Sequence, residues 1–334
     1  MIRVRLPRVP EGLLGHLPAL PARLCPNVQD CLGSGTLLLE HASIETAQLD
    51  GECLLAHVLG LPRWRLVTER RRRLTPDEFG RYLSLLRRRE LREPLAYLVG
   101  MREFWSLPLA VSPGVLVPRP ETETLVEVAL SLLQGERPAS GNGSSDPRPG
   151  HLLSAQGPGH PILIDLCTGS GAVAIALARE LPGAALFATD ISRRALRVAR
   201  ANAEAHGVAD RITFLRGNVW RALNGDGPSG RADLVASNPP YIPTGVIPTL
   251  MPEIHWEPRR ALDGGRDGLE FQRAIIAGAP QHIRPGGFLL LEIGADQAAG
   301  VRRLFEQAGG FEASRVYRDL AGRDRVVMAR RRAN

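Results

Sequence analysis

Between residues 162 and 329 the sequence alternates between short apolar runs and longer runs with helical periodicity. Buried parallel strands have nearly continuous apolar sequences, and two parallel strands need a crossover connection that is usually a helix. The alternation therefore predicts an α/β domain with a doubly wound, mostly parallel sheet. The predicted strands are 162–166, 185–189, 212–215, 232–237, 287–293, 312–317 and 325–329, and the predicted helices are 172–181, 193–206, 269–279 and 297–308. The last two strands form a hairpin that places one antiparallel strand in the sheet.

The strand at 232–237 ends at Asn238-Pro239-Pro240-Tyr241. A proline cannot donate to a sheet, and the residue before a proline is kept out of the helical region. Asn238 is therefore held at the carboxyl end of a strand, which is the ligand-binding edge of an open parallel sheet. The Asn238 side-chain oxygen and the Pro239 carbonyl are expected to accept the two hydrogens of a planar NH2 group, on which Tyr241 can stack. The alternative interpretation is an ordinary proline-rich turn.

These residues are the candidate site for the reacting group. The candidate catalytic residues are Asn238, Pro239 and Tyr241, and the candidate substrate-binding residues are Asn238, Pro239, Pro240 and Tyr241. No general base is evident among them, and the expected chemistry depends mainly on orientation.

A glycine-containing turn joins the first predicted strand to the first helix of this domain. Gly169 and Gly171 allow a tight backbone and the close approach of a ligand, and the following helix directs its amino end at that ligand. The turn is not a P-loop or a dinucleotide-binding loop, because no Lys follows and the glycine spacing differs. The candidate cofactor-binding residues of this turn are Asp165, Cys167, Thr168, Gly169, Ser170 and Gly171.

Asp190 follows the second predicted strand at the same edge of the sheet. A carboxylate in this position can accept hydrogen bonds from both hydroxyls of a ribose. Asp190 could instead cap the next helix, although Ser192 is the better placed cap.

The glycine turn resembles the Asp-x-Gly-x-Gly-x-Gly loop of enzymes that use S-adenosylmethionine (SAM), with Cys167 in place of the usual Gly. This resemblance implies a Rossmann-like SAM-dependent methyltransferase fold with SAM as its cofactor. It also implies that Asn218 and Val219 occupy the place where an acid usually binds the adenine amino group, and Asn218 would accept that hydrogen bond. Asn238 is also counted with these candidate cofactor-binding residues, and its Asn-Pro-Pro-Tyr motif resembles the signature of methyltransferases acting on planar amino or amide nitrogens.

From about residue 45 to its end, the chain resembles the HemK/PrmC-type protein-glutamine methyltransferases. Besides the two motifs above, the resemblance is carried by the segments 92–100, 103–105, 117–123, 257–265 and 319–325. The most specific of them contains Pro118-Arg119-Pro120-Glu121-Thr122-Glu123, which adenine and guanine methyltransferases generally lack. The family resemblance implies methyl transfer from SAM to the glutamine side-chain nitrogen in the Gly-Gly-Gln motif of bacterial peptide chain release factors, in support of translation termination.

Composition and patterning divide the chain into four parts. We expect an extension of unknown order at 1–35, a small helical substrate-recognition domain at 36–100, a hairpin linker at 101–117 and the methyltransferase domain at 118–334. The segment 134–160 is rich in Gly, Pro and Ser, and it has too few large apolar residues to fold by itself, so it is expected to be a mobile insertion.

Composition also limits the setting in which the chain acts. No apolar run approaches the roughly 20 residues that span a bilayer, so no membrane partner is expected. The cysteines show no metal-binding or redox spacing, which predicts reduced thiols, no metal site and a cytoplasmic location. They are Cys25, Cys31, Cys53 and Cys167. The net charge of +7 permits a nucleic-acid partner without showing one.

Two other functions fit parts of the sequence. A DNA or RNA exocyclic-amine methyltransferase would present a flipped base to Asn238 in the same way, but no separate recognition module is evident. A non-catalytic SAM-fold module is disfavoured by the intact Asn-Pro-Pro-Tyr motif. We therefore expect a monomeric enzyme without a direct nucleic-acid substrate, and His255 remains a residue that either faces the site or simply lies in a loop.

Overall fold

The structure is a computed structural model that describes residues 25–134 and 160–333, except positions 226 and 229. Residues 1–24 of the predicted extension and 135–159 of the predicted insertion therefore lie outside the described residues. Within the part of the chain that is described, no helix is long and apolar enough to span a bilayer.

The chain divides into two compact units. The first comprises the chain up to Met101 together with the segment Met251–Trp256. The second comprises Arg102–Leu250 together with the chain from Glu257 onward. The first unit is helical and the second contains the sheet, and each is described by itself below.

The helices of the first unit are α1 (Val28–His41), α2 (Ala47–Leu59), α3 (Pro76–Glu90) and the short α4 (Leu95–Val99). The sequence Thr75-Pro76-Asp77-Glu78 predicts a capping box, and α3 has one: the Thr75 hydroxyl accepts from the Glu78 amide, and the Glu78 carboxylate accepts from the Thr75 amide. Helix α1 begins before residue 36, where the helical pattern was expected to start, because the Asn27 side chain caps it by accepting from the amide of Asp30.

A buried guanidinium connects three parts of the helical unit. Arg89 on α3 is 5% exposed, and it donates to Asp50 of α2 over 2.6 Å and to Glu253 over 2.9 Å. Glu253 belongs to the segment Met251–Trp256 and also accepts from Arg92 over 3.1 Å. A buried charge is tolerated only when it is paired, so this network holds the Met251–Trp256 segment in the unit.

Replacing Arg89 by Ala is expected to lower the free energy of unfolding by roughly 3–5 kcal/mol, because Asp50 and Glu253 lose a buried cationic partner. The control is Arg87→Ala, an exposed position on the same helix, for which the expected change is within about 0.5 kcal/mol. Equilibrium denaturant unfolding measures both. Equal effects of the two substitutions would show that the buried network does not stabilise this unit.

The second unit contains the predicted sheet. Its strands are β3 (Ile162–Leu166), β4 (Ala185–Asp190), β5 (Ile212–Arg216), β6 (Ala232–Ser237), β7 (Ile283–Glu292), β8 (Arg315–Arg318) and β9 (Asp324–Arg330). Its helices are α5 (Glu123–Gln134), α6 (Ala172–Glu180), α7 (Arg193–Ala205), α8 (Glu270–Gly278) and α9 (Ala298–Ala308). The strand order is β5-β4-β3-β6-β7-β9-β8, and β9 pairs antiparallel with both of its neighbours. The predicted doubly wound, mostly parallel, seven-stranded sheet is confirmed.

A hairpin precedes the sheet along the chain, within the predicted linker at 101–117. Its strands are β1 (Met101–Phe104) and β2 (Leu107–Ala110). The two turn residues, Trp105 and Ser106, have φ values of +54° and +57°. Two successive left-handed residues make the turn type whose twist matches that of a hairpin.

The central strands are apolar on both faces. Alternate residues of β3, β6 and β7 contribute to two separate clusters: Leu163, Leu234 and Leu290 lie in one cluster, and Ile164, Val235 and Leu289 lie in the other. Because successive side chains of a strand point to opposite faces, the two clusters cover the two sides of the sheet.

The register of the parallel strands creates one functional edge. Leu166 of β3 pairs with Thr189 of β4 and with Ser237 of β6, and Ser237 pairs in turn with Leu291 of β7. The residues that follow these pairs therefore emerge at the same carboxyl edge of the sheet. Asp190, Asn238 and Glu292 are three of them.

Candidate active site

A cavity of about 480 Å³ opens at this carboxyl edge, and all of its lining residues belong to the second unit. A volume of this size is typical of small-molecule sites. The cavity brings together ten of the predicted site residues: Asp165, Cys167, Thr168, Gly169, Ser170, Asp190, Asn218, Val219, Asn238 and Pro240. Among the described residues, the predicted Gly171, Pro239 and Tyr241 lie outside the cavity lining, and so does His255, which is exposed in the Met251–Trp256 segment of the helical unit.

Asp165 holds the glycine turn in place through two hydrogen bonds. One carboxylate oxygen of Asp165 accepts from the Thr168 hydroxyl over 2.6 Å and from the Ala174 amide in the first turn of α6 over 3.2 Å. Burial raises the pKa of Asp165 to about 7, and the two hydrogen bonds oppose that increase. Asp165 thus fixes the shape of the turn and the position of α6.

Three residues of the turn adopt the left-handed backbone conformation. Cys167 has a φ of +62°, and Gly169 and Gly171 have φ values of +57° and +85°. The position of Cys167 therefore has the geometry that glycine adopts most readily. At Gly171 a Cβ atom would lie 2.9 Å from Ile175 and 3.1 Å from the Cβ of Ala199, so the absence of a side chain lets α6 and α7 approach each other.

Asp190 connects two loops at the mouth of the cavity. Its carboxylate accepts from the Gly169 amide over 3.0 Å and from the Ser192 amide over 2.8 Å. The cap of α7 is the Ser192 hydroxyl, which accepts from the Ala195 amide. Burial raises the pKa of Asp190, while these amides and the charge of Arg260 lower it. The role of helix cap is therefore filled by Ser192, as the sequence suggested.

Asn218 and Val219 follow β5 and form another part of the lining. The Asn218 carbonyl accepts from the Arg221 amide over 3.1 Å and starts a short 3-10 helix. Val219 has a φ of +47°, an uncommon conformation for a β-branched residue. The backbone of this turn is thus folded tightly beside the cavity.

The Asn-Pro-Pro-Tyr segment leaves β6 with both of its polar side chains engaged. The Asn238 amide donates from Nδ2 to the Thr122 hydroxyl oxygen over 3.0 Å. The Tyr241 hydroxyl points to the Glu292 carboxyl, with 3.5 Å between the oxygens. Burial raises the pKa of Tyr241, and the charge of Glu292 raises it further.

Glu292 ends β7, and its side chain is completely buried. Burial raises its pKa to about 7; hydrogen bonding by the Thr122 hydroxyl and the charge of Arg325 lower it, as does the Tyr241 hydroxyl, while the charge of Glu121 raises it. Within the described residues, its Oε2 atom has no hydrogen-bond partner. A buried carboxyl beside a cavity is a frequent feature of functional sites.

Later parts of the chain hold the backbone after Asn238 in place. The Gln297 side chain donates to the Tyr241 carbonyl over 2.8 Å. Ile242 exchanges backbone hydrogen bonds with Leu262 and Gly264, at 2.9 and 2.8 Å. At Gly268, whose φ is +73°, a Cβ atom would lie 2.4 Å from the Tyr241 carbonyl oxygen, so glycine is required there.

The two segments that carried much of the sequence resemblance contact each other. Arg119 forms an ion pair with the buried Glu257, whose other carboxylate oxygen accepts from the Val117 amide over 3.1 Å. The Pro-Arg-Pro-Glu-Thr-Glu segment is therefore anchored beside the cavity, and Thr122 is placed next to Asn238.

The sequence-based list of site residues omitted Glu292, and it named Thr122 only as part of a motif. Glu292 had a visible signal, because it is the one charged residue at the end of the apolar run Phe288-Leu289-Leu290-Leu291. Glu292 ends β7, and β7 pairs with β6, the strand that leads to Asn238. The contact between Thr122 and Asn238 had no such signal, because it joins positions that are far apart in sequence.

Comparisons with known proteins agree with this arrangement. The family described as PrmC N-terminal domain matches residues 30–100, and the family described as Methyltransferase small domain matches residues 152–265. A release factor glutamine methyltransferase of Moorella thermoacetica is 39% identical over 305 residues, covering 91% of this chain and 99% of that protein. One from Cereibacter sphaeroides is 41% identical over 302 residues, covering 90% of this chain and 97% of that protein.

The chain belongs to the release factor glutamine methyltransferase family. The family resemblance inferred from the sequence is thereby confirmed. Among solved structures, the hMettl16 catalytic domain in complex with MAT2A 3'UTR hairpin 6 aligns with a TM-score of 0.52 at 16% identity, covering 73% of this chain and 81% of that one. At this identity the similarity shows a shared fold.

The buried Glu292 predicts a pH-dependent stability. Its folded-state pKa of about 7 lies above the ordinary 4.5, so the folded protein holds this proton more tightly than the unfolded chain does. The stabilisation is fully present below about pH 4.5 and is lost as the pH rises through about 7. Glu292→Gln cannot ionise, so its free energy of unfolding minus that of the unmodified protein should be about 2–3 kcal/mol larger at pH 8 than at pH 5, which means that the variant gains relative stability as the pH rises.

Denaturant unfolding of both proteins at the two pH values measures this difference. Glu306→Gln, at an exposed position on α9, serves as the control and should show no such pH dependence. A Glu292→Gln difference that is the same at pH 5 and pH 8 would mean that Glu292 ionises normally in the folded protein.

Proposed function

We propose that this protein transfers a methyl group from SAM to the side-chain amide nitrogen of the glutamine in the Gly-Gly-Gln motif of peptide chain release factors. The names of its close relatives support this substrate. The observation that carries the proposal is the position of Asn238, a planar amide held at the end of β6 on the wall of a cavity of cofactor size.

The hydrogen-bonding groups that line the cavity suit SAM. The Asp190 carboxylate would accept hydrogen bonds from the ribose hydroxyls, and the Asn218 side-chain oxygen would accept one from the adenine amino group. The glycine turn offers a backbone that a ligand can approach closely. Bound SAM would supply an electrophilic methyl group: the substrate nitrogen would form the new N–C bond as the C–S bond breaks, the thioether S-adenosylhomocysteine would leave, and the nitrogen would lose one proton to water.

Asn238 and Pro239 would act on the glutamine amide. The nitrogen of an amide is a poor nucleophile because its lone pair is delocalised into the carbonyl. Hydrogen bonds from its two N–H groups to the Asn238 side-chain oxygen and the Pro239 carbonyl would fix the lone pair in the direction of attack. Positioning of this kind can lower a barrier by roughly 7–11 kcal/mol in favourable cases.

Pro240 and Tyr241 would complete the substrate site. Pro240 lines the cavity, and the rigid Pro-Pro backbone keeps the two acceptor oxygens from moving apart. The Tyr241 ring would lie against the amide plane, with its hydroxyl anchored towards Glu292. We further propose that the helical unit recognises the release factor, and that the domain boundaries expected from the sequence describe this division of labour.

The substrate is tested by transfer of labelled methyl from SAM to a purified bacterial release factor. Label should enter the intact factor and not a factor whose Gly-Gly-Gln glutamine is replaced. Asn238→Ala should lower the rate by roughly 10²- to 10³-fold, the usual effect of removing one preorganised hydrogen-bonding group from a reaction site.

DNA and ribosomal RNA are included as parallel acceptors in the same assay. Label on nucleic acid with none on the release factor would contradict the proposal and would identify an exocyclic-amine methyltransferase. A protein that binds SAM but labels none of the acceptors would indicate a non-catalytic module.

Asp190 is tested by cofactor binding in the absence of any methyl acceptor. Asp190→Ala should raise the dissociation constant of SAM about 10- to 100-fold, because a hydrogen bond to a charged group contributes about 1.5–3 kcal/mol. Calorimetric titration measures this constant, and Glu204→Ala, at an exposed position on α7, is the control. An Asp190→Ala protein that is less stable but binds SAM normally would show that Asp190 only joins the two loops.

A further inference from the structure

The loop at residues 217–220, which follows β5, contributes Asn218 and Val219 to the cavity wall, and one of the two has a strained backbone. Val219 has a φ of +47°. A β-branched residue adopts this conformation only where the surrounding structure imposes it, and such residues are frequent at ligand sites. The groups that hold the 217–220 loop are therefore part of what shapes the cavity.

The neighbouring strand holds the amino end of the 217–220 loop. The Gly217 amide donates to the Asp190 carbonyl over 3.2 Å. A Cβ atom on Gly217 would lie 2.5 Å from the Cα atom of Ala222, so glycine lets the chain turn back at once into the short 3-10 helix. A second anchor is needed at the other end of the loop.

Trp220 is this second anchor, and it fastens the loop to helix α8. Its indole nitrogen donates to the carbonyl oxygens of Ala274 and Ile275 over 3.2 and 3.1 Å. The indole also lies directly against Gly278, where a Cβ atom would be 2.2 Å from the Cδ1 atom of the ring. Because the indole N–H can only donate, the two carbonyls determine which edge of the ring faces α8.

The imidazole of His282 packs on the same indole. The two rings are stacked, with their centroids 4.4 Å apart and their planes 3° from parallel. His282 is buried and is fixed by its backbone, which donates to the Ala279 carbonyl over 3.0 Å and accepts from the Ala232 amide over 3.1 Å. Trp220 is thus held by hydrogen bonds at its edge and by a fixed ring on its plane.

The helix that holds Trp220 also forms part of the cavity wall. Phe271 of α8 lines the cavity. It lies four residues before Ile275, and residues with this spacing share one side of a helix. Trp220 therefore joins two parts of the wall, the 217–220 loop and the Phe271 region of α8, and fixes the distance between them.

We propose that Trp220 is a positioning residue for the cofactor. By holding the 217–220 loop on α8, it keeps Asn218 where its side-chain oxygen can accept from the adenine amino group. This inference rests on the proposed function for the identity of the cofactor. Trp220 is not among the described residues that line the cavity, so it acts through the loop and not through contact with SAM.

The strain at Val219 gives the inference a measurable consequence. Without Trp220 the loop can relax into a conformation in which Val219 is unstrained, and Asn218 then leaves its place in the wall. SAM binding has to restore the original loop. The apparent affinity therefore falls in proportion to the fraction of molecules that still have the loop in its binding conformation.

Calorimetric titration of the full chain with SAM, in the absence of any methyl acceptor, measures this effect. Trp220→Leu should raise the dissociation constant about 5- to 50-fold, which corresponds to a binding conformation populated at about 2–20%. Trp220→Phe keeps a ring against His282 but loses both hydrogen bonds, and it should raise the constant about 3- to 10-fold. The matched control is Trp105→Phe, which removes an indole hydrogen bond to Glu180 at the hairpin and should change the constant less than twofold.

A double-mutant cycle separates positioning from a general loss of stability. If Trp220 acts through Asn218, Trp220→Leu should raise the dissociation constant less than about twofold in a protein that already carries Asn218→Ala, because no hydrogen bond is left to position. If the two effects multiply in the double variant instead, Trp220 supports the fold without positioning Asn218, and the inference is wrong.

A substitution on α8 disturbs the same contact from the other side. Alanine has a higher helix propensity than glycine, but a Cβ atom at position 278 forces the indole to move. Gly278→Ala should therefore raise the dissociation constant at least threefold, and Gly278→Ala/Trp220→Leu should bind no more weakly than the weaker single variant. Gly80→Ala on α3, where an added Cβ meets nothing within 4 Å, is the control. Unchanged SAM binding in Gly278→Ala would contradict the inference.

These measurements do not involve the methyl acceptor, so the inference and the proposed function can fail separately. Methylation of a release factor together with unchanged SAM binding in Trp220→Leu would overturn the inference and leave the function standing. Weaker SAM binding in Trp220→Leu, with the expected double-mutant cycle, would support the inference even if the unmodified protein labelled nucleic acid and no release factor, a result that would overturn the function.

Discussion

The termination of β6 by two consecutive prolines is the constraint on which the rest of the site depends. Because Pro239 and Pro240 cannot continue the sheet, Asn238 is fixed at the carboxyl edge with little freedom in its own backbone. Neighbouring elements then hold the backbone that follows the prolines. The turn from Leu262 to Gly268 pairs with the backbone after Tyr241, and Gln297 holds the Tyr241 carbonyl.

The same site contains several features that are unfavourable for stability. Cys167 adopts a left-handed backbone conformation, for which a side chain costs about 1–2 kcal/mol. Asp165 and Glu292 are buried carboxyls with raised pKa values. Each of them lies at or beside the cavity. The surrounding apolar clusters on both faces of the sheet compensate for these costs, and this combination is typical of a fold that places strained and buried polar groups where chemistry takes place.

Sequence patterns predicted the architecture of the second unit well, because the local signals for its strands and strand ends agree with the positions that the strands take in the sheet. The bounds of β6 match the prediction, since apolar continuity and the prolines both define them. Strand β7 begins at Ile283, four residues before the predicted start, because Pro285-Gly286-Gly287 forms an irregularity within the strand and resembles a turn in sequence. The pair formed by Thr122 and Asn238 could not be predicted, since it depends on how α5 packs and on the ion pair of Arg119. Sequence reasoning thus predicted residues that the structure brings together at one edge of the sheet, whereas the contact between Thr122 and Asn238 emerged only from the structure.

The most direct test of the account is the chemical position of the transferred methyl group. After a release factor has been labelled by this protein and SAM, complete acid hydrolysis cleaves every amide bond. We expect the label to be released as methylammonium and to distil as methylamine once the hydrolysate is made alkaline, because the methyl group is carried by a side-chain amide nitrogen. Label that remains on a non-volatile amino acid would place the methyl group on another atom and would contradict the role assigned to Asn238.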